Sequence, residues 1–345
     1  MNTVHQKIVD AIIAKAEQVC PDSLALLGIY GSVATGDAYA KSDLDLLMLI
    51  QDDDGWKLGT GFILDDSGIG YDLYCTNWEG LRFDATCPHA QLAKLMDAKI
   101  IYVKNQDAYR ELCQLRTQAK AFLQSGERFQ RVGELIEKAK VSYANAHLHE
   151  TIGQVRVDAY GVMLYLLNAL MLYHGTYFQR GVKRTFEELA KLPVAQEFSD
   201  NLRKVAESTQ VSDIRELLKQ LVSYAENHVQ QEKPKQAPDG KISGTYEEMY
   251  SNWRNKVAEA AARQDTFSSF MNLCSLQCML SEISSQVDIG SYDIMADYHP
   301  DCLADNVRLY DACLRQYEEV YRKTGATVKR FANVDAFVAD YLGKA

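Results

Sequence analysis

Val4, Ile8, Ile12, Ala16 and Val19 recur every three or four positions, so residues 4–19 are predicted to form a helix with one apolar face. Pro21-Asp22 ends it. The unbroken apolar run Leu24–Tyr30 has the length of a buried strand, and it leads into a tight turn at Gly31-Ser32. Ser42–Ile50 is predicted as a second strand. Asp43 and Asp45 alternate there with Leu44 and Leu46 before the pattern becomes wholly apolar. Asp52-Asp53-Asp54-Gly55 reads as a turn. Gly59–Leu64 and Gly70–Cys75 read as two further strands joined across Asp65-Asp66-Ser67-Gly68. His89–Asp97 has a helical pattern, and Lys99–Val103 reads as the last strand.

Beyond residue 105 the period changes to that of helices almost throughout. The polar stretch 230–241 holds two of the six prolines and few apolar groups, as a linker does. Helical patterns resume at 245–263, 266–285, 303–323 and 333–343. The expected fold class is α+β. Residues 1–105 would form a mixed β-sheet with flanking helices, 106–232 a helical bundle, and 245–345 an additional helical domain.

Composition narrows the function. Of 345 residues, 47% are apolar and 24% charged, which excludes a largely disordered chain. Apolar runs such as Leu24–Tyr30 and Leu46–Ile50 fall far short of the roughly 20 residues that cross a bilayer. The first residues lack the continuous apolar stretch of a signal peptide, so the expected setting is soluble and cytoplasmic. The net charge of −10 disfavours nucleic acid, which needs a basic surface, and is compatible with a small or cationic substrate. The eight cysteines include no CxxC pair. Cys274 and Cys278, one helical turn apart, lack the two further ligands that zinc would need.

The stretch Gly28–Leu47 carries the chemistry. A strand ends in Gly31-Ser32, where the backbone can approach a phosphate closely and a hydroxyl can donate to it. About ten residues later come Asp43 and Asp45. On one strand face their carboxylates would lie about 6–7 Å apart along the backbone. Two such acids repel unless a cation sits between them, and Mg²⁺ binds through carboxylates plus substrate phosphates. Asp72, polar in the apolar run Gly70–Cys75, is the candidate third acid of a two-metal site.

A Gly-Ser turn, a spacer of about ten residues, then Asp-apolar-Asp resembles the signature of the DNA polymerase β-type nucleotidyltransferase superfamily. Within it the chain is most similar to kanamycin nucleotidyltransferase and related antibiotic nucleotidyltransferases, over roughly residues 5–230. The resemblance implies that Asp43, Asp45 and Asp72 hold two Mg²⁺ ions and that Gly31 and Ser32 position the phosphates of an NTP. It implies a general base on the first helix of the helical domain. Val132–Glu137 is similar to that stretch, which makes Glu137 the candidate, with Glu134 and Glu150 as competitors. Leu172–Arg184 is similar to a turn that carries a basic residue facing the triphosphate, here Lys183 or Arg184. Pairing of two chains as a homodimer is also implied, while residues 245–345 extend beyond the kanamycin enzyme.

Weaker signals read as structure. His147 and His149, two apart, diverge by about 200° on a helix and cannot grip one ion. His174, on an apolar helix, reads as a satisfied core or pocket residue. Gly59-Thr-Gly61 has Leu64 where a dinucleotide fingerprint needs its third glycine. The expected activity is transfer of NMP, AMP first, from Mg²⁺-bound NTP to a hydroxyl of a small molecule, an aminoglycoside-type antibiotic by resemblance. The alternatives are a protein or RNA acceptor, or a binding protein without catalysis.

Overall fold

The computed structural model describes residues 2–229, 237–238 and 242–343. Nearly all of the expected linker at 230–241 lies outside them. Two compact units divide the chain, residues 1–230 and 231–345. The first covers both of the stretches expected at 1–105 and 106–232.

In the first unit, α1 (Thr3–Val19) starts at Asn2, whose side chain accepts the His5 N–H at 2.8 Å, and it buries His5, Val9, Ile12 and Ala16. β1 (Leu24–Ile29) and β2 (Leu46–Ile50) are buried at every position. They are the two central strands of a four-stranded sheet ordered β5-β2-β1-β6, with β5 at Cys75–Asn77 and β6 at Lys99–Val103. β1 runs antiparallel to β2 and β6, while β5 runs parallel to β2. One face packs Leu27, Ile29, Leu46, Met48 and Ile50 against α1. The other packs Ala25, Leu26, Leu47 and Leu49 against the helices that follow. Burial on both faces explains why these strands read as apolar runs rather than alternations.

Three sequence expectations change here. β2 starts at Leu46, not Ser42. Its register begins at Ile29↔Leu46, preceded by one bond in which the Tyr30 N–H donates to the Asp45 carbonyl at 3.1 Å. Asp43 and Asp45 therefore lie in the segment that enters the strand. The run Gly70–Cys75 is divided: β3 (Thr60–Leu64) and β4 (Ile69–Leu73) form a separate two-stranded ribbon, and the chain joins the main sheet only at β5. Of His89–Asp97, only α4 (Ala93–Met96) is helical. Short α2 (Gly31–Thr35) follows β1, and α3 (Trp78–Ala85) follows β5.

The helical part packs α5 (Gln106–Gln124), α6 (Arg128–Leu148), α7 (Ile152–Tyr173), α8 (Thr185–Leu189), α9 (Gln196–Glu207) and α10 (Val211–Val229). α7 is the one described helix long and apolar enough to cross a bilayer. Its Val155, Ala159, Val162 and Leu166 are buried in the core shared with α6 and α10, which accounts for its hydropathy.

The second unit contains α11 (Thr245–Met249), a π-turn at Tyr250–Arg254, α12 (Asn255–Arg263), α13 (Thr266–Gln286), α14 (Leu303–Lys323) and α15 (Val334–Gly343). Its own core centres on fully buried Tyr310 and Tyr317, with Tyr321 beside them. The Tyr310 hydroxyl donates to the Met249 carbonyl at 2.7 Å, so the polar tip is satisfied.

Candidate functional site

Gly31 ends the first strand in a left-handed conformation, φ +65°, which favours glycine. Crowding makes glycine necessary there. A Cβ at this position would sit 1.9 Å from Asp45 Oδ2 and 2.7 Å from its Cγ. The next residue, Ser32, donates its backbone N–H to the same carboxylate. Asp45 is thus clamped against the turn by steric fit and a hydrogen bond.

Burial raises the Asp45 carboxyl above the usual carboxylate range, the nearby charge of Asp43 pushes it further, and the Ser32 N–H opposes both. A half-buried acid beside a second acid gains from a cation. The hard oxygen donors of Asp43 and Asp45 fit a divalent ion such as Mg²⁺. Tyr30, at the foot of the same strand, is pushed up to about 12 by burial and by Asp45, Asp43 and Asp84, so its hydroxyl stays protonated at neutral pH.

Asp45 opens into a cleft of about 520 Å³, the size of a small-molecule site. Gly31, Ser32 and Tyr30 line its sheet side. Arg180, Lys183 and Arg184 line its helical side, in the loop between α7 and α8. The two sides are tied together by Asp37. Arg180 Nε lies 3.1 Å and Arg184 3.2 Å from its carboxylate, and the Thr35 hydroxyl donates to it at 3.0 Å. Lys183 Nζ stands 5.0 Å from the centre of the Tyr39 ring, a cation–π contact. Lys99 donates to the Ala34 carbonyl at 2.6 Å and fixes the end of α2.

The third edge of the cleft was not anticipated. Asp84, on α3, meets Lys94 Nζ at 3.2 Å and lies 3.9 Å from His89 Nε2. His89 belongs to the loop 86–92, where Cys87 is itself left-handed at φ 49°. The loop is held by backbone bonds that no local pattern signals. The Ala90 N–H donates to buried Asn168 at 2.6 Å, and the Phe178 N–H donates to the Ala90 carbonyl at 2.8 Å. Arg180 and Asp37 did lie inside segments singled out from the sequence, and their chemistry gave the signal. Asp84 and His89 gave none.

The structure brings Gly31, Ser32, Asp45, Lys183 and Arg184 to one cleft. It does not bring the other predicted residues into that cleft's lining. Asp43 and Asp72, both exposed, line a separate depression with Phe62 and Tyr71 of the β3–β4 ribbon. Among the described residues no three acidic, His or Cys side chains cluster as a metal site. Glu137 is 70% exposed on α6 and pairs with Lys140 at 2.9 Å. Glu134 pairs with Arg131 at 3.2 Å, and Glu150 is exposed. Of the histidines, His149 meets Asp158 at 2.7 Å and His174 meets His228 at 2.9 Å. Cys274 lies 3.9 Å from the Met295 sulfur, a packing contact.

No protein-family model matches the chain, and no curated protein matches it.

Proposed function

We propose that the protein is a Mg²⁺-dependent nucleotidyltransferase that moves NMP, AMP first, from an NTP to a hydroxyl of a small molecule and releases pyrophosphate. One observation carries this reading. A carboxylate clamped on a Gly-Ser turn, Asp45, faces Arg180, Lys183 and Arg184 across a single cleft. A metal-bound triphosphate needs that pair of walls, acid on one side for the cation and base on the other for the phosphates.

Asp45 and Asp43 would hold Mg²⁺. Asp72, beside Asp43, is the third acid of the reading. The ion would neutralise charge on the phosphate oxygens as the bond to the leaving group breaks. The chain's own groups do the rest. The Ser32 hydroxyl and the Gly31-Ser32 turn offer donors to phosphate. Arg180 and Arg184 offer planar donor forks, and Lys183 a point charge, for the departing pyrophosphate. The resemblance suggests an aminoglycoside acceptor, and the net charge of −10 would draw a polycation towards the protein.

The deciding experiment is pyrophosphate release from each common NTP with Mg²⁺, with and without a panel of aminoglycosides and lincosamides. Release that depends on one antibiotic supports the reading and names the acceptor. Absence of both release and Mg·NTP binding overturns it in favour of a non-catalytic binding role.

A further inference from the structure

We infer that His89, beside Asp84, is the group that takes the proton from the attacking hydroxyl in this cleft. The inference rests on the nucleotidyl-transfer reading above and supplies the base that Glu137, on an exposed face of α6, does not supply from the cleft's lining.

Nε2 can act as the base in the tautomer that carries its proton on Nδ1. His89 Nδ1 is buried and has no hydrogen-bond partner. The ring is 36% exposed, so Nε2 is the nitrogen open to the cleft, and it lies 3.9 Å from Asp84 Oδ1. A lone pair on Nε2 can accept a proton there, and the imidazolium so formed would lie beside a carboxylate that is itself only 13% exposed. Burial, the strongest influence, and Lys94 hold the imidazole below its ordinary range, while Asp84 and the residue's own backbone act in the opposite direction. The ring is therefore neutral at pH 7 and ready to accept. The charged groups around it are Asp84 on α3 and Lys94 on α4, with Asp37, Asp45, Arg180, Lys183 and Arg184 lining the rest of the cleft.

The loop is built to hold that ring. Ala90, next in sequence, is anchored through both its N–H and its carbonyl, to Asn168 and to Phe178. Two residues before His89, Cys87 occupies the left-handed region while fully buried. A non-glycine residue persists there only when its surroundings over-determine it. That rigidity matters because a base gains most when it is positioned before the substrate arrives.

The step balances. The acceptor O–H bond breaks and its proton goes to His89 Nε2. The acceptor oxygen bonds to the α-phosphorus. The bond from that phosphorus to the bridging oxygen breaks, and pyrophosphate leaves with the electron pair.

Water is an acceptor always present, so the test needs no known antibiotic. The full chain is assayed for hydrolysis of Mg·ATP to AMP and pyrophosphate, alongside Mg·ATP binding, for the wild type, His89→Gln and Asp84→Asn. His89→Gln is expected to bind Mg·ATP as the wild type does, to lose about 10²-fold or more in rate, and to lose the acid limb of the pH–rate profile. Asp84→Asn is expected to move that limb to lower pH, because the carboxylate that favours the imidazolium is gone. The imidazole NMR signal that vanishes in His89→Gln should titrate below about 6.5 in the wild type. Full rate with an unchanged acid limb in His89→Gln overturns the assignment and leaves nucleotidyl transfer standing. Mg·ATP binding by the wild type without any turnover also overturns it. Loss of wild-type binding and turnover together removes the underlying reading.

Discussion

Gly31 and Asp45 compete for one volume, and only the missing side chain of Gly31 lets the Asp45 carboxylate reach the turn. Gly31→Ala would place a Cβ 1.9 Å from Oδ2 in a backbone conformation that disfavours it. The backbone alone should cost about 1–2 kcal/mol. The larger effect should be on function, since Asp45 must move away. Calorimetry should show a modest fall in Tm, and a titration should show loss of Mg·ATP binding.

Asp45→Asn separates stability from activity. The carboxyl is raised in the folded protein, so the folded state holds this proton more tightly than the unfolded chain does. Ionised Asp45 therefore opposes folding as pH rises above about 3.9. The Asn variant should melt no lower than the wild type at pH 7, with the difference disappearing near pH 4, while transfer is abolished. Thermal melts at the two pH values and a pyrophosphate assay check both halves.

Arg180 and Arg184 are predicted to act on the nucleotide rather than on the fold. Both are half-buried and tied to Asp37, and neither belongs to an apolar core. Arg184→Ala should raise the KM for NTP about tenfold, roughly 1.4 kcal/mol, with little change in Tm. Steady-state kinetics at varied NTP measure it.

The pair His174–His228 makes the first unit sensitive to acid. Burial lowers both imidazoles, and the charges of His228 and Arg128 oppose protonation of His174 further. The unfolded chain binds these protons more readily, so stability present above about 6.5 is lost as pH falls below it. Melting temperature should drop between pH 7 and 5, and the drop should be smaller in the double variant His174→Gln, His228→Gln.

Tyr310 has no exposed surface and lies in a core confined to residues 242–321. Tyr310→Ala should cost about 3–5 kcal/mol, by analogy with buried Phe. It should melt the second unit and leave Mg·ATP binding by the first intact. Two-probe denaturation with a binding assay would show this.

What could be read from the sequence follows from where the physics is local. Helix periodicity placed α1, α13 and α14 because each buries one stripe against a core, while 106–232 read as helical without being divided into its helices. The Gly31-Ser32 turn was legible because a glycine before a polar residue after an apolar run has few other uses. Ser42–Asp45 read as strand because Leu44 is buried while Asp43 is exposed, a true alternation. Alternation reports burial, however, and the ladder of hydrogen bonds begins only at Leu46. His89 was illegible because its place is fixed by Asn168 and Phe178, some 80 residues away, through backbone bonds that no local pattern records. Glu137 illustrates the converse: its helix is real, but the Lys140 three residues on claims the carboxylate.

The knot of charge at Asp37 has a consequence for how any phosphate enters. Arg180 already meets Asp37 and Glu187, Arg184 meets the same two acids, and Lys94 meets Asp84. Among the described residues, Lys183 forms no ion pair and rests on Tyr39. On the proposed function, a triphosphate arriving here would not add to a bare positive surface. It would displace internal carboxylates from their guanidinium partners, so association would be an exchange of one anion for another. The freed Asp37 would then be left beside the nucleotide, where it could offer a second oxygen ligand for a cation, or a hydrogen-bond acceptor for the sugar.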